Sequence, residues 1–152
     1  MLFTSQAAIQ DFLKHLDEHK EMLMSSTKIL DAELLLLKRF LYKMTSVFRN
    51  DKSIKTLRQI LKMSSKFIDM KIIDIIENLS EQHTPPKLNS VSYVPPKSKF
   101  EYTLVRLQGA AKLLTKTLCY CQHSGRLIIP KMHQGHFISK CVISMSLTSR
   151  IW

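Results

Sequence analysis

Apolar residues recur along the chain at the three- and four-residue spacing that is typical of amphipathic helices. This pattern predicts a first helix over residues 5–24, whose apolar face is interrupted by Lys20. The hydroxyl residues at 25–27 predict a break, because such side chains favour caps over helix interiors. A second helix over residues 27–48 contains four successive leucines, 34–37, which cover every side and predict a central position in a bundle.

The rest of the sequence, from residue 50 onward, predicts a longer helix, a proline-rich segment and two further helical segments. Asn50-Asp51 predicts a stop and restart, followed by a third helix over residues 52–81. Residues 84–99 contain two Pro-Pro pairs and predict a non-helical crossover. A fourth helix is predicted over residues 100–122, and a fifth segment over 126–152 with interruptions at Pro130 and Gly135. The apolar stripe of the third helix consists of Ile54, Leu57, Leu61, Ile68, Ile72, Ile75 and Leu79.

These elements predict an all-α fold, a bundle of four to five antiparallel helices with a Pro-rich crossover after the third. A chain of 152 residues is long enough for one domain with a core and short for two. We therefore expect a single helical domain over residues 1–152, with a three-helix half over 1–83 and the fourth and fifth segments over 100–152. Because the apolar pattern continues to Trp152, we also expect a fragment or isoform of a longer protein.

Charge changes the picture at the junction of the second and third helices. The formal charge is +11, and residues 38–66 hold nine of the 23 Lys and Arg residues against one acid, Asp51, which leaves +8. A second stripe is centred about 100° around the third helix from the apolar one and consists of Lys55, Arg58, Lys62 and Lys66. The full basic set is Lys38, Arg39, Lys43, Arg49, Lys52, Lys55, Arg58, Lys62 and Lys66.

Cations at helical spacing can meet successive phosphates, so this segment predicts a largely sequence-independent RNA surface. The alternative interpretation is a solvated helix face. Phe40, Tyr42 and Phe48 could stack on unpaired bases. Core packing is the favoured interpretation for these aromatics, with Tyr42 the one we expect to be most exposed.

A second basic group lies in and after the crossover and does not form one narrow stripe. We interpret it as a supporting surface, with plain solvation as the alternative. Its members are Lys97, Lys99, Arg106, Lys112 and Lys116.

Other chemistry finds little support in the sequence. Cys119 and Cys121 point about 200° apart on a helix, so buried structural cysteines are favoured over a zinc site. His15 and His19 share a helix face that is better explained as exposed and charged than as metal-binding. No phosphate loop or nucleophile motif is present, so we expect no enzyme activity, no cofactor and no small-molecule substrate. Three cysteines predict a reducing compartment, and no apolar run is long enough to span a membrane. A membrane-surface helix bundle is a third interpretation of the basic third helix, but its apolar stripe has neighbouring helices to pack against, so we expect no membrane partner.

Two blocks of the sequence resemble a known family. LLLLKRFLYKMTSVFRNDKSIKTLRQILK, and then LVRLQGAAKLL followed by GHFISKCVISMSLTSRIW, are similar in order and spacing to two blocks of the nucleolus and neural progenitor protein family. That family resembles a helical subunit of the ribonuclease MRP particle, which acts in ribosomal-RNA processing, and is linked to Notch-dependent maintenance of neural progenitors.

The resemblance implies a nuclear and nucleolar, RNA-associated helical domain that contacts structured RNA and ribonucleoprotein protein subunits. Together with the basic stripe, it leads us to expect a non-catalytic scaffold subunit. The alternative is a nuclear interaction or signalling module whose basic face binds acidic protein. The sequence leaves the oligomeric state open.

Overall fold

The fold is all-α, as predicted, in a computed structural model that describes residues 6–45, 50–80 and 96–152. Five helices account for most of these residues. Of the predicted crossover over 84–99, residues 84–95 lie outside the described residues. Residues 97–99 belong to a helix. The helices are α1 (Gln6–Met44), α2 (Lys52–Asp69), α3 (Ile72–Ser80), α4 (Lys97–His133) and α5 (Ile138–Ile151).

Helix α1 corrects two predictions. The break expected at 25–27 is absent, because the Thr27 hydroxyl donates to the Leu23 carbonyl oxygen at 2.7 Å and so stays within the helix. The central position predicted from the four successive leucines is also wrong. Leu34 and Leu37 are buried, whereas Leu35 and Leu36 are 51% and 42% exposed, so α1 presents one face to the core and another to solvent.

The predicted third helix is two helices. Asp51 is the N-cap of α2, as the stop-and-restart prediction requires, and its carboxylate accepts the Ser53 backbone N–H at 2.8 Å. The helix ends at Asp69 because Lys71 adopts a left-handed conformation with φ of 48°. This turn has no signal in the sequence, since glycine or asparagine is the usual residue at such a position.

Helix α4 is longer than predicted, and the expected interruption at Pro130 is wrong. The helix passes through Gly125 and Pro130 and ends only at His133. Gly135, with φ of 73°, terminates it, because the Gly135 N–H donates to the Met132 carbonyl and the His136 N–H donates to the Lys131 carbonyl. This pair of bonds satisfies the last carbonyls in the Schellman arrangement.

Contacts within the chain group it into two compact units, and the division falls inside α1 and α4. The first unit comprises residues 1–27 and 71–109, and the second comprises 28–70 and 110–152. The single domain expected over 1–152 stays a prediction.

The second unit has a well-defined core, to which α1, α2, α4 and α5 all contribute. Leu37, Leu57 and Ile60 are almost completely buried in it. Burial of each such side chain contributes about 2 kcal/mol of transfer free energy. The buried members are Leu34, Leu37, Leu41, Ile54, Leu57, Ile60, Cys121 and Leu147.

In the first unit, Leu79 of α3 packs with Phe100 of α4, and Leu16 of α1 lies against them. Lys20, which interrupts the apolar pattern of α1, forms an ion pair with Glu77 of α3 at 3.0 Å. An apparent defect in the sequence pattern is therefore a polar contact between two helices.

Candidate nucleic-acid interface

The basic stripe predicted for residues 55–66 is a continuous outer surface of α2. Lys55, Lys62 and Lys66 are exposed and Arg58 is partly exposed. At 100° per residue these four side chains fall within about 80° of one another. We call these four residues the outer stripe.

The opposite side of α2 is buried, and its composition explains the orientation of the helix. Together with Leu57, Ile60 and Phe67, the buried face includes Thr56 and Ser64. The Thr56 hydroxyl donates to the Lys52 carbonyl at 3.0 Å, which lets a polar residue lie inside. With these hydroxyl residues on the buried side of α2, Leu61 and Ile68 are only partly buried, and Lys55, Lys62 and Lys66 are exposed on the other side.

The α1 part of the predicted basic set lies near the end of that helix. Lys38, Arg39 and Lys43 are exposed there, as is Lys52 at the start of α2. Arg49 lies outside the described residues. All the described members of the predicted set therefore belong to the second unit.

A side-chain hydrogen bond joins the end of α1 to the outer stripe. Arg58 Nη2 donates to Thr45 Oγ1 at 3.2 Å, while the Thr45 hydroxyl donates to the Leu41 carbonyl at 2.7 Å. The same two helices line a groove of about 230 Å³ that includes Lys38 of α1 and Leu61 of α2. Lys38 of α1 thus lines the groove between the two helices, and Arg58 of the outer stripe reaches Thr45 just after the end of α1.

The aromatic residues of this region divide between core and solvent. Phe40 is partly buried and packs against the core, as favoured, and Phe48 lies outside the described residues. Tyr42 is 85% exposed, so the favoured interpretation of core packing is wrong for it. Its position on α1 points away from Leu37 and Leu41, and the leucine run had suggested that every side of this helix was covered.

The second basic group is divided between the two units. Lys97, Lys99 and Arg106 belong to the first unit, whereas Lys112 and Lys116 belong to the second. Lys97 forms an ion pair with Glu101 at 3.6 Å. Around α4, Lys99 and Arg106 lie about 130° from the mean direction of the other three. That these residues share no narrow stripe, and that they have a common supporting role, both stay predictions.

Two ion pairs that the sequence did not predict hold charged residues in the second unit. Lys131 of α4 contacts the Asp51 carboxylate and the Ser53 hydroxyl, the latter at 3.0 Å, and Arg150 of α5 pairs with the buried Glu33 of α1. Burial opposes ionisation of the Asp51 carboxyl. Hydrogen bonds from Lys131 and Ser53 and the charge of Lys131 outweigh that effect, so the pKa of Asp51 lies below its ordinary value.

An apolar cavity of about 360 Å³ lies beside the Asp51–Lys131 pair. Its lining includes Phe40, Ile54, Ile128 and Phe137. The outer stripe is not part of its lining. The cavity is therefore separate from the basic surface.

The two candidate cysteine ligands lie in different environments. Cys119 is exposed, whereas Cys121 is buried in the leucine core, where burial raises the pKa of its thiol to about 11. His15 Nδ1 lies 3.4 Å from a Glu18 carboxylate oxygen. Among the described residues, no group of three His, Cys, Asp or Glu side chains is arranged to hold a metal ion. None of the described helices combines the length and apolar character needed to span a membrane.

Comparison with known proteins gives one family and one relative. The family model for the N-terminal part of nucleolus and neural progenitor protein matches residues 2–152. The human nucleolus and neural progenitor protein is 28% identical over 138 residues, which is 88% of this chain and 24% of the human protein. The chain thus spans about a quarter of that relative's length. No solved structure matches the chain. Both names refer to the nucleolus, in agreement with the predicted nuclear and nucleolar localisation.

Proposed function

The chain belongs to the nucleolus and neural progenitor protein family, and from that premise we propose that it is a non-catalytic RNA-binding scaffold of a nucleolar ribonucleoprotein. The proposed particle is of the ribonuclease MRP type and processes ribosomal RNA. In this proposal the second unit presents a rigid row of cations to RNA phosphates. Any cleavage belongs to other components of the particle.

The observation that carries the proposal is the outer stripe. Lys55, Lys62 and Lys66 are exposed on the side of α2 opposite its buried face, and among the described residues no carboxylate lies within ion-pair distance of them. A helix held by a core on one side keeps the backbone positions of these lysines at fixed spacing on the other. Fixed spacing matters because a preorganised surface loses less conformational freedom when it binds.

Salt-dependent binding of the 152-residue chain to ribonuclease MRP RNA tests this proposal. Replacing Lys55, Lys62 and Lys66 by Gln removes three cations and therefore up to three phosphate contacts. The slope of log affinity against log salt is expected to flatten by about one unit for each phosphate that is no longer neutralised. Lys14→Gln with Lys28→Gln and Arg126→Gln is the matched control, because these three exposed cations lie outside both predicted basic groups.

The outcomes separate the function classes. A loss confined to the α2 variant supports the RNA scaffold. Equal losses in both variants would reduce the interaction to net charge alone and overturn the proposal. Tighter binding of the unmodified chain to polyglutamate than to the RNA at equal salt would favour a protein-interaction module and would also overturn it.

A further inference from the structure

Tyr42 is an aromatic ring held in solvent among cations. It is 85% exposed on α1, and the exposed Lys38 and Arg39 precede it by four and three residues. Residues at these spacings are neighbours on a helix surface. The ring is therefore bordered by positive charge and is open to a ligand.

The hydrogen bond between Arg58 and Thr45 extends this environment to α2. Tyr42 and Thr45 are three residues apart and lie on the same side of α1, about 5–6 Å between Cβ atoms. The Arg58 guanidinium of the outer stripe donates to the Thr45 hydroxyl at 3.2 Å and so reaches the chain three residues after Tyr42. Tyr42 thus lies between the exposed cations Lys38 and Arg39 and the residue that Arg58 contacts.

The groove between α1 and α2 is polarised. Lys38 is on its lining, one helical turn from Tyr42, while Asp31 lies two turns further from Tyr42 on α1 and Asp69 lies at the far end of α2. Two carboxylates repel a phosphate backbone, so a strand cannot favourably follow the groove along its whole length. The favourable end is the one beside Tyr42.

We propose that Tyr42 and its surrounding cations bind an unpaired nucleotide of single-stranded RNA. The base stacks on the Tyr42 ring, the adjoining phosphates lie against Lys38 and Arg58, and the strand crosses from α1 to the outer stripe. Bases within a duplex are already stacked and cannot reach such a ring. This proposal rests on the proposed RNA-binding function and adds the class of RNA that this surface selects.

The test uses the full chain and two RNAs that differ in base pairing. One probe is a single-stranded oligouridylate of about 12 nucleotides, and the other is a fully paired duplex with the same number of phosphates. Tyr42→Ala is expected to weaken binding of the single strand about tenfold, which lies within the range for removal of one base–aromatic stack. Duplex affinity and the salt slope are expected to stay unchanged. Tyr42→Phe, which keeps the ring, should bind both RNAs as the unmodified chain does.

Tyr102→Ala is the matched control, because this tyrosine of α4 is also exposed, at 57%, but lies in the other unit. It should leave both affinities unchanged. An unchanged single-strand affinity in Tyr42→Ala, or equal losses for single strand and duplex, would overturn the inference. If the α2 lysine variant still loses RNA affinity in that case, the scaffold proposal survives. If neither the α2 lysine variant nor Tyr42→Ala changes RNA affinity, the scaffold proposal and the Tyr42 inference are both overturned.

Discussion

The second unit contains charges of two kinds, ion pairs that join helices and exposed cations without a carboxylate partner among the described residues. Asp51–Lys131 and Glu33–Arg150 join helices that are distant in sequence, and Glu33 is almost completely buried. In contrast, Lys55, Lys62 and Lys66 of the outer stripe are exposed. A buried carboxylate without its cation is costly, whereas an exposed lysine is solvated whether or not it has a partner. Basic residues therefore have different roles here. Those paired with a partly or fully buried carboxylate stabilise the fold, whereas the exposed outer-stripe lysines are available for binding.

The largest effect on stability is expected from the buried pair. Arg150→Ala leaves the Glu33 carboxylate in the core without its cation, and its Oε2 atom already has no hydrogen-bond partner. We expect the free energy of unfolding to fall by about 2 kcal/mol, which is the cost of leaving a buried acceptor without its donor. The loss is not larger because Arg150 is largely exposed, so water can take its place beside Glu33. Urea denaturation measures the change. The exposed Arg126→Ala is the control, and adding Glu33→Gln to Arg150→Ala should recover part of the loss. Equal stability of the two arginine variants would contradict the structural role.

A smaller effect, dependent on pH, is expected from the second pair. Asp51→Asn keeps the helix cap but removes the ion pair, with an expected loss of about 1 kcal/mol at neutral pH. Since the pKa of Asp51 is lowered by folding, its contribution is fully present above the unfolded value, about 3.9, and disappears as pH falls through the lower folded pKa. Unfolding curves at neutral pH and at successively lower pH should therefore converge for the variant and the unmodified chain. A constant difference at every pH would refute this origin.

The outer stripe is expected to show the opposite behaviour. Replacement of Lys55, Lys62 and Lys66 by Gln should change the free energy of unfolding by less than about 0.5 kcal/mol for each residue. These side chains lie on the exposed side of α2, so no buried group is left without its partner. Thermal denaturation followed by circular dichroism would check the result beside the RNA measurement. A loss as large as that of Arg150→Ala would show that the comparison between the two kinds of charge is wrong.

The smallest effect on stability is expected from chemical modification of the α4 thiols. One of these thiols is exposed and the other is buried, which is the same contrast as for the charges. Iodoacetamide should modify the exposed Cys119 in the folded chain and leave the melting temperature unchanged. Cys121 should react only after unfolding, because the core excludes the reagent and burial raises the pKa of its thiol to about 11. Peptide mass mapping with and without urea measures both. Rapid labelling of Cys121 in the native chain would place this part of α4 outside the core.

The sequence by itself determined the helical class, the cap at Asp51 and the basic side of α2. These features depend on periodicity and local chemistry, which are visible within one turn of helix. It failed at Thr27 and at Lys71. A hydroxyl bound to its own helix made the predicted break unnecessary, and a left-handed lysine ended a helix that propensity would have continued.

Tertiary structure alone decided which charges are available and which are not. Lys131 and Arg150 look like any other basic residue in the sequence, because their partners, Asp51 and Glu33, lie far away along the chain. It also decided that Tyr42 faces solvent, since only the packing of α1 distinguishes Leu37 on one side of the leucine run from Leu35 on the other. Local pattern sets the periodicity of a helix, but only the neighbouring helices determine which side of it is covered.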